Sequence, residues 1–272
     1  MVLRRPQPRQ AGYLHIVGPE HPDLEHIGFG LLSLADRESW TNTFSGFESV
    51  LVILGGRCDI EADGRNWESI GDRADVFDGK PTAVYCPPAC TCHITGRGGV
   101  MIAVCSAKAD SGPDPTLISP DQIGLRLVGT DNFERRIHDI VSLDNIPARS
   151  LIVGETYNLP GMWSSYPPHK HDTHNPPQES HLEEVYYFRL RPPQGFGFQR
   201  VYGSGSDQAY AVQDGDVVTI SKGYHPVAAA PGYELYYLWI LAGEHRVVHM
   251  CEDPNHSWVL RDLKRGAYAG ST

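Results

Sequence analysis

The sequence has little that would place it in a membrane or on nucleic acid. No apolar run approaches eighteen residues, which excludes a helical membrane span. The basic start, Met1-Val2-Leu3-Arg4-Arg5-Pro6, lacks the apolar core of a secretion signal and is expected to be a disordered leader. The six cysteines contain no C-x-x-C pair: Cys90-Thr91-Cys92 is C-x-C, and Cys58, Cys86, Cys105 and Cys251 stand apart. That argues against a structural zinc site; the thiols read as small buried hydrophobes, with a reduced cytoplasm as the expected compartment. Positive charge is also short. Lys and Arg number 23 against 33 Asp and Glu, a formal net charge of −10, which argues against a nucleic-acid partner. Long apolar stripes at helical spacing are missing too, and the helix candidates are short, near Ser119–Gln122 and in the tail.

What remains is β-sheet material. The 28 glycines and 21 prolines recur between short apolar runs, which favours an antiparallel sandwich or barrel. At 272 residues and 40% hydrophobic content, the chain can bury the cores of two ordinary barrels. In the first half, Phe47 to Gly56 reads as a strand ending in a glycine turn, and Asp75-Val76-Phe77 and Val84-Tyr85-Cys86-Pro87-Pro88 read as further pieces of a barrel. AKADSGPDPTLISP, Ala107 to Pro120, has turn formers and little apolar content, so the division is expected at 1–118 and 119–272.

Chemistry concentrates in the second half. His169 and His171 in YPPHKHD are two apart, so on a strand both imidazoles share a face and can reach one ion. Glu184 opens the β-branched and aromatic run Val185-Tyr186-Tyr187-Phe188, where Glu184, Tyr186 and Phe188 would lie on one face. Asp214-Gly215-Asp216 precedes Val217 to Ile220, and the Gly223-Tyr224-His225-Pro226 turn places His225 at the end of that strand pair. His169, His171, Glu184 and His225 would hold one divalent ion with open positions, a set suited to zinc, manganese, iron or nickel. Glu179 and Glu183 lie close enough in sequence to leave the carboxylate open. His174 and His181 read as loop residues, and the histidines of the first half, at positions 15, 21, 26 and 93, are scattered.

H-x-H, a later glutamate and a later histidine flanked by glycine and proline resemble the paired motifs of the cupin superfamily. NFERRIHDIV, GETYNLPGMWSSYPPHKHD, ESHLEEVYYFRL, GFGFQRVYG and the DGDVVTISKGYHPV stretch are similar to the 5-deoxy-glucuronate isomerases of bacterial myo-inositol breakdown. The likeness is densest from Asn132 to Trp258 and thinner at WESIGDRADVFDGKPTAVYCPP. It implies an all-β bicupin, two antiparallel jelly-roll barrels, with metal ligands in the second only. In related isomerases the carboxylate ligand stands directly before the V-Y-x-Y/F-F strand, which implies Glu184, with Glu183 pointing the other way. The pattern departs from the common cupin in the insert Asp172 to Glu183, expected as a loop.

The implied reaction interconverts an aldehyde beside a hydroxyl with a ketone, taking 5-deoxy-glucuronate to 5-dehydro-2-deoxy-gluconate. Its substrate is an anionic sugar, which a chain of net charge −10 would repel, so the site needs a local cation. Arg200 is the expected carboxylate partner, with Gln199 beside it and Tyr237 as a further substrate contact. Tyr186 and Tyr202 are the candidates for hydrogen bonding or proton transfer, alongside a metal-bound hydroxide, while Lys170 should face away. Two other classes fit the same ligands: an iron-dependent dioxygenase and a non-catalytic sugar-binding double barrel. Homo-oligomerisation is left open.

Overall fold

The computed structural model describes residues 3–4, 11–203 and 205–260. They form antiparallel strands with two single-turn 3-10 helices, Pro120–Gln122 and Asp131–Phe133, and a helical turn at 258–260. The first is the helix expected near Ser119; the tail beyond 260 lies outside the described residues.

In the first half the sheet runs in the order Gly12–Val17, Ile27–Leu34, Thr91–Lys108, Phe47–Ala62, Ala83–Cys86, Thr116–Ile118, with Ser39–Thr43 and Arg65–Ile70 added alongside. Two of these strands are 16 and 18 residues long. Their pairing slips at Ile53/Gly55 and again at Gly56/Arg57, and such bulges bend a strand sharply. Gly56 has a φ of +90°, and a Cβ there would lie 2.1 Å from the Gly99 carbonyl oxygen, so the bend requires glycine. Inside are Leu32, Leu51, Ile53, Ile60, Ile94 and Ile102 with Cys58, Cys86, Cys90 and Cys92. Burial pushes the Cys58 thiol up to about 12, so it packs as a neutral hydrophobe.

The second half has two layers. The larger sheet orders Leu3–Arg4, Val217–Ile220, Glu183–Arg191, Glu234–Ala242, Ile152–Asn158, Arg135–Val141 and Gly124–Val128; Trp163–Ser164, Val227–Ala229, Phe196–Gly203 and Ser206–Gln213 form the facing layer. Between them pack Tyr186, Phe188, Val201, Val218, Ile220, Val227 and Tyr237. The opposite face of the larger sheet, with Val153, Val185, Tyr187, Tyr236, Leu238 and Ile240, packs on Phe29, Val50, Val52, Leu54 and Tyr85 of the first half. Both faces of the central strands of this sheet are therefore buried, which is why Val185 to Phe188 and Leu235 to Leu241 read as continuous apolar runs rather than alternating ones.

Charges cross the seam between the halves, each held by several partners as burial requires. Glu183 accepts the backbone N–H groups of Glu25, His26 and Ile27 at 2.5, 2.9 and 3.3 Å. Glu48 accepts those of Arg149, Ser150 and Leu151 and the Tyr85 hydroxyl. Arg73 donates to both carboxylate oxygens of Glu155, at 2.6 and 3.2 Å, and the Tyr157 and Tyr236 hydroxyls donate to the same group.

Three expectations are corrected. Leu3 and Arg4, assigned to a disordered leader, pair with Val218 and Val217 of the second half. The insert is not an open loop: Asp172–Asn175 and Glu179–His181 form a small hairpin. Lys170 holds it, donating to Asp172 and to both oxygens of Glu179. The segment expected to link the halves is partly strand, because Thr116–Ile118 pairs with Ala83–Tyr85 at the sheet edge.

Candidate metal centre

Each site histidine is carried by a different kind of backbone support. His169–Lys170 is a short strand paired with Cys251–Glu252, and alternation sends His169 and His171 one way and Lys170 the other, to its carboxylates. His225 follows Gly223, whose φ is +94° and whose Cβ would lie 2.7 Å from the Tyr202 carbonyl oxygen. Asp172 ties the two segments together, since its carboxylate accepts the Gly223 N–H at 2.8 Å. The ligand-bearing faces thus meet without sharing a sheet.

The imidazole donor atoms of His169, His171 and His225 lie within 4.8 Å of one another. The other ring nitrogens are occupied: His171 Nδ1–H donates to the Leu182 carbonyl and His225 Nδ1–H to the Gly223 carbonyl, both at 2.9 Å. Those bonds fix the tautomer and leave each Nε2 lone pair free, as in metal-ligating histidines. Glu184 Oε2 stands 3.3 Å from both Nε2 atoms. All three atoms are buried and none has a hydrogen-bond partner. Lone pairs facing one another at that separation need a cation between them, and the donor set of neutral imidazoles plus one carboxylate fits a divalent ion. Burial, together with the His171 ring and the Arg135 guanidinium, lowers His169 to about 3. Burial likewise brings His225 to about 3, against the pull of Glu184. Burial also presses on His171, but Glu184 outweighs it and holds that ring above its ordinary value, so a proton or a metal ion is drawn to this point.

The centre opens on a cavity of about 400 Å³ lined by His169, Glu184, Tyr186, Tyr237, Trp239, Ser165, Thr156 and Arg135 among others. Tyr186 and Tyr237 stack at 4.4 Å, and the Tyr186 hydroxyl shares a hydrogen bond with Ser165 at 3.1 Å. Burial and the neighbouring Glu184 raise Tyr186 well above its ordinary value, so it remains a protonated hydrogen-bond donor.

The remaining site expectations divide by strand face. On Phe196–Gly203, Gln199 and Val201 point inward, while Arg200 and Tyr202 occupy the outer side. Gln199 is fully buried with both amide atoms unpartnered. Arg200, expected to meet a carboxylate in the site, instead pairs twice with Asp207 at 2.8 Å and lies over the Tyr202 ring. Tyr202 donates to Asp253 at 2.5 Å and so is removed from the cavity as well. The sequence does not separate the two faces of this strand, because the GFGFQRVYG run has large residues on both. An exposed pair of this kind is screened by solvent and contributes little. Arg200→Ala is therefore expected to keep kcat/KM within about threefold of the parent, as read by steady-state assay. A loss near a hundredfold would return Arg200 to the site. Glu183 and Glu179 are committed to the seam and to Lys170, leaving Glu184 as the carboxylate beside the histidines.

A model of the KduI/IolB family matches residues 2–259. The chain belongs to this family. Its KduI/IolB relatives include a 5-deoxy-glucuronate isomerase of Geobacillus thermodenitrificans, 40% identical over 262 residues that cover 95% of each chain. Another, the 5-deoxy-glucuronate isomerase of Bacillus subtilis strain 168, is 36% identical over 266 residues, 95% of this chain and 98% of that one. A crystallised IolB-like protein of Salmonella typhimurium LT2 superposes with a TM-score of 0.91 at 36% identity, covering 96% of this chain and 99% of its own. Lactobacillus farciminis oxalate decarboxylase shares the fold more distantly, with a TM-score of 0.67 at 12% identity over 100% of this chain and 91% of that one. The architecture of this KduI/IolB member is accordingly the all-β double cupin of antiparallel barrels. No helix among the described residues is long and apolar enough to cross a membrane.

Proposed function

We propose that this chain is a metal-dependent aldose–ketose isomerase converting 5-deoxy-glucuronate to 5-dehydro-2-deoxy-gluconate. The observation that carries the reading is the meeting of three buried, unpartnered acceptors, His171 Nε2, His225 Nε2 and Glu184 Oε2, behind a sugar-sized cavity whose lining includes Glu184 and His169. The relatives' names supply the substrate. His169, His171, Glu184 and His225 would hold one zinc, manganese, iron or nickel ion, which when bound would polarise the carbonyl and neighbouring hydroxyl and acidify the C–H between them. Tyr186, protonated and on the Glu184 face, donates a hydrogen bond to a substrate oxygen. Tyr237 shapes the wall behind it, and Gln199 offers an unsatisfied buried amide to the barrel interior. In this reading residues 1–118 are a scaffold barrel and 119–272 the working barrel, in a cytoplasmic protein.

The test is proton NMR of 5-deoxy-glucuronate in D2O, without oxygen, using metal-stripped and metal-reconstituted protein. Turnover is expected only after reconstitution, with solvent deuterium entering the product through an enediol proton transfer; turnover without deuterium would leave a hydride shift or a shielded proton. An inert 5-deoxy-glucuronate together with oxygen uptake on another substrate would favour a cupin dioxygenase. Tight sugar binding without turnover would favour a non-catalytic binding barrel.

A further inference from the structure

The cavity needs a cation for an anionic sugar, and with Arg200 turned outward the supply lies elsewhere. Two arginines line it, Arg126 and Arg135. Arg126 is spent: it donates to both oxygens of Asp139, at 2.5 and 2.8 Å. Arg135 is not. Its Nη1 donates to the carbonyls of Phe133 and Tyr166, at 3.2 and 3.3 Å, and among the described residues no carboxylate pairs with it. Alternation along Arg135–Val141 separates it from its neighbour, because Arg136 lies over the Tyr157 ring and His138 reaches Glu155 at the seam, while Arg135, Ile137 and Asp139 face the cavity.

We propose that Arg135 is the carboxylate-binding residue of this site, holding the acid end of the sugar while the carbonyl end lies toward His169 and Glu184. The inference rests on the isomerase reading for the identity of the sugar, though not for the chemistry of the anion. A half-buried guanidinium with only carbonyl partners keeps its charge uncompensated, and its planar fork matches a carboxylate in two parallel bonds. The two carbonyls act as a tether: they fix one edge of the guanidinium and leave the rest to a ligand. The two residues that supply these carbonyls, Phe133 and Tyr166, are themselves in ring contact, 5.7 Å apart. Selectivity for a uronic acid over a neutral aldose follows, since the neutral sugar would leave this cation desolvated and unpaired.

The test separates binding from turnover. Calorimetry with glucuronate and glucose on the metal-loaded protein, its Arg135→Met variant and its Arg135→Lys variant reads the anion site directly. The parent should prefer glucuronate, and Arg135→Met should weaken glucuronate on the order of ten- to a hundredfold, the range of a charge-assisted hydrogen bond, leaving glucose unchanged. Arg135→Lys, which keeps the charge without the fork, should fall between. With 5-deoxy-glucuronate as substrate, the loss in Arg135→Met should appear mainly in KM. Equal affinity for glucuronate in parent and Arg135→Met would overturn the proposal, as would equal losses for glucuronate and glucose in Arg135→Lys with metal content intact. Arg135-dependent glucuronate binding in a protein that fails to isomerise 5-deoxy-glucuronate would support the carboxylate site and sink the isomerase reading instead.

Discussion

Glu184→Gln and His225→Ala should each strip the protein of its metal ion and lower kcat/KM by at least about a thousandfold, because a Lewis acid contributes several kcal/mol to a barrier and each 1.4 kcal/mol is tenfold. The reason is local. Glu184 Oε2 sits 3.3 Å from both His171 Nε2 and His225 Nε2, so losing either the carboxylate charge or one imidazole removes the convergence that defines the ion's position. Glu183→Gln is the informative control, one residue away. Its side chain faces the seam, where it receives three backbone N–H groups of the first half. That variant should keep its metal and most of its turnover while melting at lower temperature. Metal content by elemental analysis beside a thermal melt tells the two glutamates apart; retained metal in Glu184→Gln would remove Glu184 from the ligand set.

The H-x-H spacing, the glutamate at a strand start and the glycine-flanked histidine were legible because strand alternation and turn chemistry are local. They place His169, His171, Glu184 and Tyr186 on the faces where the structure has them. Sidedness of a strand buried on both faces was not legible. Leu235 to Leu241 alternates correctly, yet nothing in the run distinguishes Tyr237 at the cavity from Tyr236 at the seam, since each face meets an apolar partner. Arg200 failed for a related reason, as its partner Asp207 lies across a hairpin and only register decides that they meet. Arg135-Arg136 offers two equal cations in sequence, and only Tyr157 and Glu155, from the next strand, claim the face of Arg136 and His138 and so leave Arg135 to the cavity. The hairpin in the insert depends on Lys170 drawing Asp172 and Glu179 together, an interaction that a Pro-rich polar stretch does not advertise.

Arg73→Met should cost about 3–5 kcal/mol of stability, the range found when one partner of a buried ion pair is removed, without loss of metal. Arg73 comes from the first half and Glu155 from the second, their side chains 1% and 0% exposed, so the pair joins the halves where water cannot replace either charge. Burial opposes the charged form of Glu155, but Arg73, His138 and Tyr236 outweigh it and hold the carboxyl down to about 2. The sign of the pH dependence follows from that. A carboxyl lower in the folded than in the unfolded chain, where it titrates near 4.3, adds stability above the unfolded value and loses it as pH falls through about 2. In Arg73→Met the same carboxyl, buried without its cation, shifts above the unfolded value and stabilises only when protonated. The gap between parent and variant should therefore be widest near neutrality and narrow in acid, measured by urea unfolding across that range. Arg73→Met/Glu155→Gln removes both charges while keeping an acceptor for the Tyr157 and Tyr236 hydroxyls, and it should recover part of the loss, with the recovery read as the coupling energy of a double-mutant cycle. A single variant within about 1 kcal/mol of the parent, or a gap that does not change with pH, would mean that the seam is held by its apolar contacts alone and that the ion pair is a passenger.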